Sequence, residues 1–279
     1  MLTASELKSL LKAHGLRLTK RLGQHHLIDA QIARRIVEAC GLSFEDTVVE
    51  IGAGLGALTE LLAERAARVL AVEVDRRISE LLAERLAWAK RVTVLHQDIL
   101  EFSWGDCDNK VVVVGAIPYH ITSPILVSLS DARRVMTRAI LILQEEVARR
   151  LLARPGTKSY GRLSVLAQYC WELSPLMTIS RSAFFPQPEV DSRCVRLTVR
   201  PQPPVAVVDE PLFFELVKIA FSHRRKTLVN CLSTAEHIGM GHAQAETLVR
   251  ELGVSGFVRG EALSLSQFAA LANAIADDR

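Results

Sequence analysis

The stretch VVEIGAGLGALTELLAERAARVLAVEVD, Val48–Asp75, decides how the chain folds. Val48, Val49 and Ile51 form a short apolar run broken only by Glu50, and the glycine-rich turn Gly52-Ala53-Gly54-Leu55-Gly56 follows it. Leu58, Leu61, Leu62 and Ala66 then recur at helical spacing, and a second apolar run, Val69–Val72, ends in Glu73 and Asp75. This is strand, tight turn, helix and strand, with an acid at the tip of the second strand. Glycines in such a turn let the backbone approach a ligand at the helix N-terminus. The carboxylate after the second strand can accept both hydroxyls of a ribose. The unit is expected to bind a nucleoside-bearing cofactor.

Gly52-x-Gly54-x-x-Ala57 satisfies the dinucleotide pattern, with Glu73 at the expected distance. The stretch alone leaves a nicotinamide cofactor and S-adenosylmethionine both open, and glycines that merely close a tight turn would look the same. Glu50 favours the methyl donor, because a carboxylate there can meet a methionine ammonium.

Outward from this unit, strands and helices alternate. Asp29 is placed to cap a helix through Cys40, and Gly41 to end it. A helix to about Trp88 precedes a strand at Val92–Leu95, which runs into Gln97-Asp98-Ile99; an acid there lies at the rim where ligands bind. Val111–Val114 and Ala139–Leu143 read as buried strands around a helix at Pro124–Leu129. The pattern predicts an α/β doubly wound, Rossmann-like sheet over residues 1–200, with a basic N-terminal extension at 1–28. Phe184–Ser192 reads as a proline-stiffened loop, and Arg200-Pro201-Gln202-Pro203-Pro204 as the boundary. Only helical patterns follow, predicting a small all-helical domain at 205–279.

Among the 279 residues, 49% are hydrophobic and no apolar run is long enough to span a membrane, which points to a globular protein without a membrane partner. The polar, amphipathic N-terminal sequence contains no signal-peptide pattern, so the cytoplasm is expected. Five dispersed cysteines form no C-x-x-C pair and read as reduced thiols rather than metal ligands. Net charge is only +3, but the cations cluster: Lys20 and Arg21 precede the cofactor unit, and Arg224, Arg225 and Lys226 follow far beyond it. Separated basic clusters suit a polyanion gripped at several points.

Four segments together resemble the ribosomal RNA adenine dimethyltransferases. They are LGQHHLID (Leu22–Asp29), VEIGAGLGALT (Val49–Thr59), AIPYHITSPI (Ala116–Ile125), and FFPQPEVDS (Phe184–Ser192) taken with AFSHRRKTLVN (Ala220–Asn230). FFPQPEVDS and the RRKTL within AFSHRRKTLVN are typical of the small-subunit branch. The resemblance implies S-adenosylmethionine as cofactor and small-subunit rRNA in a pre-30S particle as partner. It also implies a monomeric enzyme that dimethylates adjacent adenosines, without metal ions. Glu73 would bind the ribose hydroxyls, and Asp98 the adenine amine with Ile99 beside the ring. Gly52 and Gly54 would admit the methionine end, and Gln24, His25 and Leu27 would line a lid. Ile117, Pro118 and Tyr119 would form the target-base pocket, with the Ile117 carbonyl as an acceptor. Ala116 stands where the family has asparagine, and His25 and His26 where it has asparagine and phenylalanine. His120 and His25 are candidate replacements for the missing amide. A catalytically weakened, RNA-binding assembly factor is the alternative function, and a nicotinamide-dependent reductase a more distant one.

Overall fold

The computed structural model describes the chain except residues 17, 19–23, 108–109, 119–120, 224 and 278–279, and the side chain of residue 237. Helix α1 (Ala4–Ala13) precedes a two-residue strand β1 (His26–Leu27), helix α2 (Ala30–Cys40) and strand β2 (Thr47–Ile51). Next come α3 (Thr59–Ala63), β3 (Arg68–Glu73), α4 (Arg76–Arg85), β4 (Val92–His96) and β5 (Val111–Ala116). Helix α5 (Thr122–Asp131), β6 (Met136–Gln144), α6 (Glu145–Leu151), α7 (Arg162–Cys170) and β7 (Trp171–Ile179) follow. The chain then forms β8 (Phe184–Phe185) and β9 (Ser192–Val199), and helices α8 (Glu210–Ala220), α9 (Leu228–Ser233), α10 (His242–Glu251) and α11 (Leu265–Asp277). Among the described residues no helix is long and apolar enough to cross a membrane.

Seven strands make one sheet in the order β4-β3-β2-β5-β6-β9-β7. Strands β2 to β6 run parallel, and β9 pairs antiparallel with β6. The chain winds outward from β2 to β4, then crosses back and continues on the other side with β5 and β6. The order therefore reverses between β2 and β5, where ligands bind in open sheets of this kind. Val48, Val49, Val111–Val114 and Ile140 are fully buried, which is why these runs are β-branched and continuous rather than alternating. Helix α2 lays Ala33, Ile36, Val37 and Cys40 into the same core as Val48, Val112 and Ile140. Its entry is fastened by the Asp29 carboxylate, which accepts from the N–H groups of Gln31 and Ile32, a cap worth about 1 kcal/mol.

By its contacts the chain divides into a sheet unit, Met1–Ala148 with Glu172–Val199, and a helical unit, Arg149–Trp171 with Arg200–Arg279. The sequence reading assigned all of 1–200 to the sheet. Arg149–Trp171 groups with the helices because Tyr169 packs between Phe213 and Phe214, at ring distances of 4.9 and 5.2 Å. Its hydroxyl also donates to Glu210 at 3.1 Å. An aromatic cluster of this kind is a contact between distant segments, invisible to local periodicity.

Candidate active site at the carboxyl rim of the sheet

Register brings the candidate residues to one edge. Ile51 pairs with Val72 on one side and Gly115 on the other, and Glu73 pairs with His96. Gly52, Glu73 and Ala116 therefore stand at the C-terminal ends of β2, β3 and β5, on both sides of the reversal. Asp98 joins them because the Gln97 N–H donates to the Glu73 carbonyl at 3.1 Å. The Asp98 carboxylate accepts from the Leu100 N–H at 2.9 Å, which turns the chain and buries Ile99 beneath it.

The glycine turn is held from below by Glu73. One carboxylate oxygen accepts from the Gly54 N–H at 2.9 Å and the other from the Asp75 N–H at 3.0 Å. Burial raises the Glu73 carboxyl above the usual carboxylate range, and these two backbone donors oppose that shift. Gly54 has φ of +57°, and a Cβ there would lie 2.7 Å from the His26 Nδ1. Glycine is required on both counts. Gly115, whose role the sequence reading passed over, is required by close approach: a Cβ would fall 2.7 Å from the Ile51 carbonyl oxygen. It lets β2 and β5 draw together at the reversal.

Glu50 is 2% exposed and its Oε2 has no hydrogen-bond partner. Thr59, also buried, lies close enough for its hydroxyl to lower the carboxyl's proton affinity, though not in full hydrogen-bond geometry. Burial pushes the Glu50 carboxyl up to about 8; the Thr59 hydroxyl offsets part of this, and the nearby Glu73 charge adds to it. Buried carboxyl groups are ordinarily satisfied, so an unsatisfied one beside a ligand turn points to a bound group of positive charge.

The segment Gln24–Ile28 is clamped over this rim by the proline-rich segment. His26 pairs with Phe185 and Leu27 with Phe184 as an antiparallel two-stranded sheet, and the Ile28 N–H donates to the Ala183 carbonyl. A His25 ring nitrogen meets the Pro186 carbonyl at 2.6 Å. Gln24 donates to Asp75 at 2.9 Å, and Asp75 also caps α4. Phe184–Phe185 is thus a strand rather than the loop expected from its prolines, because its partner lies some 160 residues away in sequence. His26 packs against Gly54, and burial depresses its imidazole to about 4, so it is neutral above that pH, with its Nε2 buried and unpaired.

Ala116 ends β5, half-buried, with Ile142 beside it in register. The Ile117 N–H donates to the Ile142 carbonyl at 3.0 Å, and Ile117 is buried. The Pro118 carbonyl accepts from Ile121 N–H and from the Thr122 hydroxyl, both at 3.2 Å, starting α5. Tyr119 and His120 lie outside the described residues. So do Lys20, Arg21 and Arg224 of the expected RNA-binding set. In the helical unit Arg225 and Lys226 are exposed, and Thr227 directly after them caps α9.

Comparison with known proteins supplies the family. The chain is 41% identical to a ribosomal RNA small subunit methyltransferase A of Geobacillus thermodenitrificans, over 98% of this chain and 96% of that one. A protein of the same name from Bacillus cereus is also 41% identical, with the same coverage. Among solved structures, a dimethyladenosine transferase from Plasmodium falciparum shares the fold with a TM-score of 0.78 at 24% identity, covering 91% of this chain and 98% of that one. The 23S rRNA methyltransferase ErmE superposes with a TM-score of 0.67 at 28% identity, covering 90% and 99%. Residues 15–277 match the family described as ribosomal RNA adenine dimethylase, and the chain belongs to that family.

Proposed function

We propose that this chain transfers methyl groups from S-adenosylmethionine to the exocyclic amines of adjacent adenosines in small-subunit ribosomal RNA, within an assembling subunit, as a monomer. The observation that carries the reading is the unsatisfied, buried Glu50 beside the Glu73-braced glycine turn at the sheet reversal. A cofactor with a cationic methionine end and a ribose fits that pair. The polar set matches the group: Glu73 offers a charged acceptor for ribose hydroxyls, Asp98 an acceptor for the adenine amine, and Ile99 an apolar neighbour. Glu50 offers its free oxygen to the ammonium, while Gly52 and Gly54 let the methionine end approach the backbone. Gln24, His25 and Leu27 close the lid.

The bound cofactor supplies an electrophilic methyl on sulfur; everything else is positioning. The adenine amine is a poor nucleophile because its lone pair is delocalised into the ring. The Ile117 carbonyl accepts one of its N–H bonds and aims the lone pair, Pro118 shapes the pocket, and Tyr119 stacks on the extruded base. Ala116 removes the amide acceptor that relatives of the resembled type carry. Lys20, Arg21, Arg224, Arg225 and Lys226 bind phosphates and set register without reading sequence. The alternative of an inactive assembly factor draws no support from the relatives, whose names are those of methyltransferases.

The test is transfer of labelled methyl groups to undermethylated small subunits, with mapping of the product. Label on adenine amines of the small-subunit RNA is expected; a parent chain that binds the subunits and transfers nothing overturns the reading.

A further inference from the structure

The helical unit carries a feature that cofactor binding and phosphate contacts leave unused. Phe257 is 87% exposed, the most exposed large hydrophobic side chain among the described residues. It borders a cavity of about 300 Å³ whose other walls include Asn230, His242, Arg250 and Ser255. The turn that presents it is held by the Ser255 hydroxyl, which accepts from the Phe257 N–H at 3.2 Å, and by the Ser255 carbonyl, which accepts from the Val258 N–H at 2.9 Å. The Leu228 N–H donates to the Val258 carbonyl at 2.7 Å. That bond ties the Phe257 turn to the segment that begins with exposed Arg225 and Lys226. Glu246 also lines the cavity, but it is paired with Arg250 at 3.1 Å, so the lining carries no unpaired anion.

We propose that Phe257 and the cavity beside it form a stacking site for one unpaired nucleotide of the bound RNA, whose phosphate lies against Arg225 and Lys226. The inference rests on the RNA reading above and adds a base-binding subsite to it. An exposed ring among solvated polar walls suits a nucleobase, which offers one π-face to the aromatic and polar edges to Asn230, His242 and Ser255. The cavity is at the small end of ligand-site sizes, enough for a single base. Because π-stacking is tolerant of base identity, the site contributes affinity and register more than sequence choice.

The test uses the full chain and undermethylated small subunits, with affinity measured across a salt series for the parent and for Phe257→Ala, Phe257→Trp and Phe257→Leu. Phe257→Ala is expected to weaken binding about tenfold with the salt slope unchanged, since the lost group is uncharged. Phe257→Trp is expected to bind as the parent does, and Phe257→Leu to resemble the alanine variant. Parental affinity in Phe257→Ala overturns the proposal. Parental affinity in Phe257→Leu overturns it as well, because the contact would then be apolar docking against protein. Failure of the parent to methylate the subunits is a separate result and strikes the function proposed above, not the subsite.

Discussion

At the carboxyl rim of the sheet, Glu50 and Glu73 are 2% and 6% exposed. In the helical unit, Arg225, Lys226 and Phe257 are open to solvent. In the first region two carboxyl groups are buried and pushed above the usual carboxylate range by desolvation. The second presents exposed groups, of which the cations Arg225 and Lys226 are screened by salt and worth little alone. The contrast teaches that removing one group at the rim should act like a switch, whereas removing one at the exposed surface should act like a weight. Four predictions test that distinction, from the largest effect to the smallest.

Glu73→Ala is expected to weaken S-adenosylmethionine binding by about 10³-fold, because two hydroxyls lose a shared charged acceptor and the Gly54 and Asp75 N–H groups lose theirs. Calorimetry giving an unchanged affinity would remove the cofactor from this rim. Ala116→Asn is expected to raise methyl transfer by about 10²-fold, a barrier change of roughly 3 kcal/mol, by restoring one preorganised acceptor. Cofactor affinity should move less. Equal rates for parent and variant on the same subunits would show that this position does not orient the nucleophile.

The third prediction concerns pH. Glu50 titrates near 8 in the folded chain against 4.5 as its ordinary value. Between those values the folded state holds a proton that the unfolded chain has released, so Glu50 costs stability increasingly as pH rises from 4.5 to 8 and costs none below that window. Glu50→Gln should therefore stabilise the cofactor-free protein by on the order of 3 kcal/mol at pH 7 and by almost nothing at pH 4. Denaturant titrations at the two pH values check this. The same sign predicts that cofactor binding near pH 7 releases a proton in the parent and not in Glu50→Gln. The smallest effect belongs to the exposed loop. Arg225→Gln with Lys226→Gln should lower subunit affinity about tenfold and flatten the salt slope by up to ~2 units, leaving cofactor affinity as it was. A salt slope equal to the parent's would mark these cations as an ordinary solvated face.

The glycine turn, the acids after β3 and β4, and the run of buried strands were legible in the residues from Val48 to Asp98, because strand and helix periodicities are local and acids at strand ends fall at one edge of a parallel sheet. The helical character of the chain beyond Pro204 was legible for the same reason. Tertiary structure alone decided three things. It paired His26–Leu27 with Phe184–Phe185, making the Gln24–Ile28 segment and the proline-rich segment one object. It grouped Arg149–Trp171 with the helices through Tyr169, Phe213 and Phe214. It also buried Glu50 with its Oε2 unpaired, next to Thr59 and Glu73. Each of these depends on which distant segments come within a few ångströms. Desolvation, which turns an ordinary glutamate into a group titrating near 8, is a property of the surrounding atoms rather than of the residue.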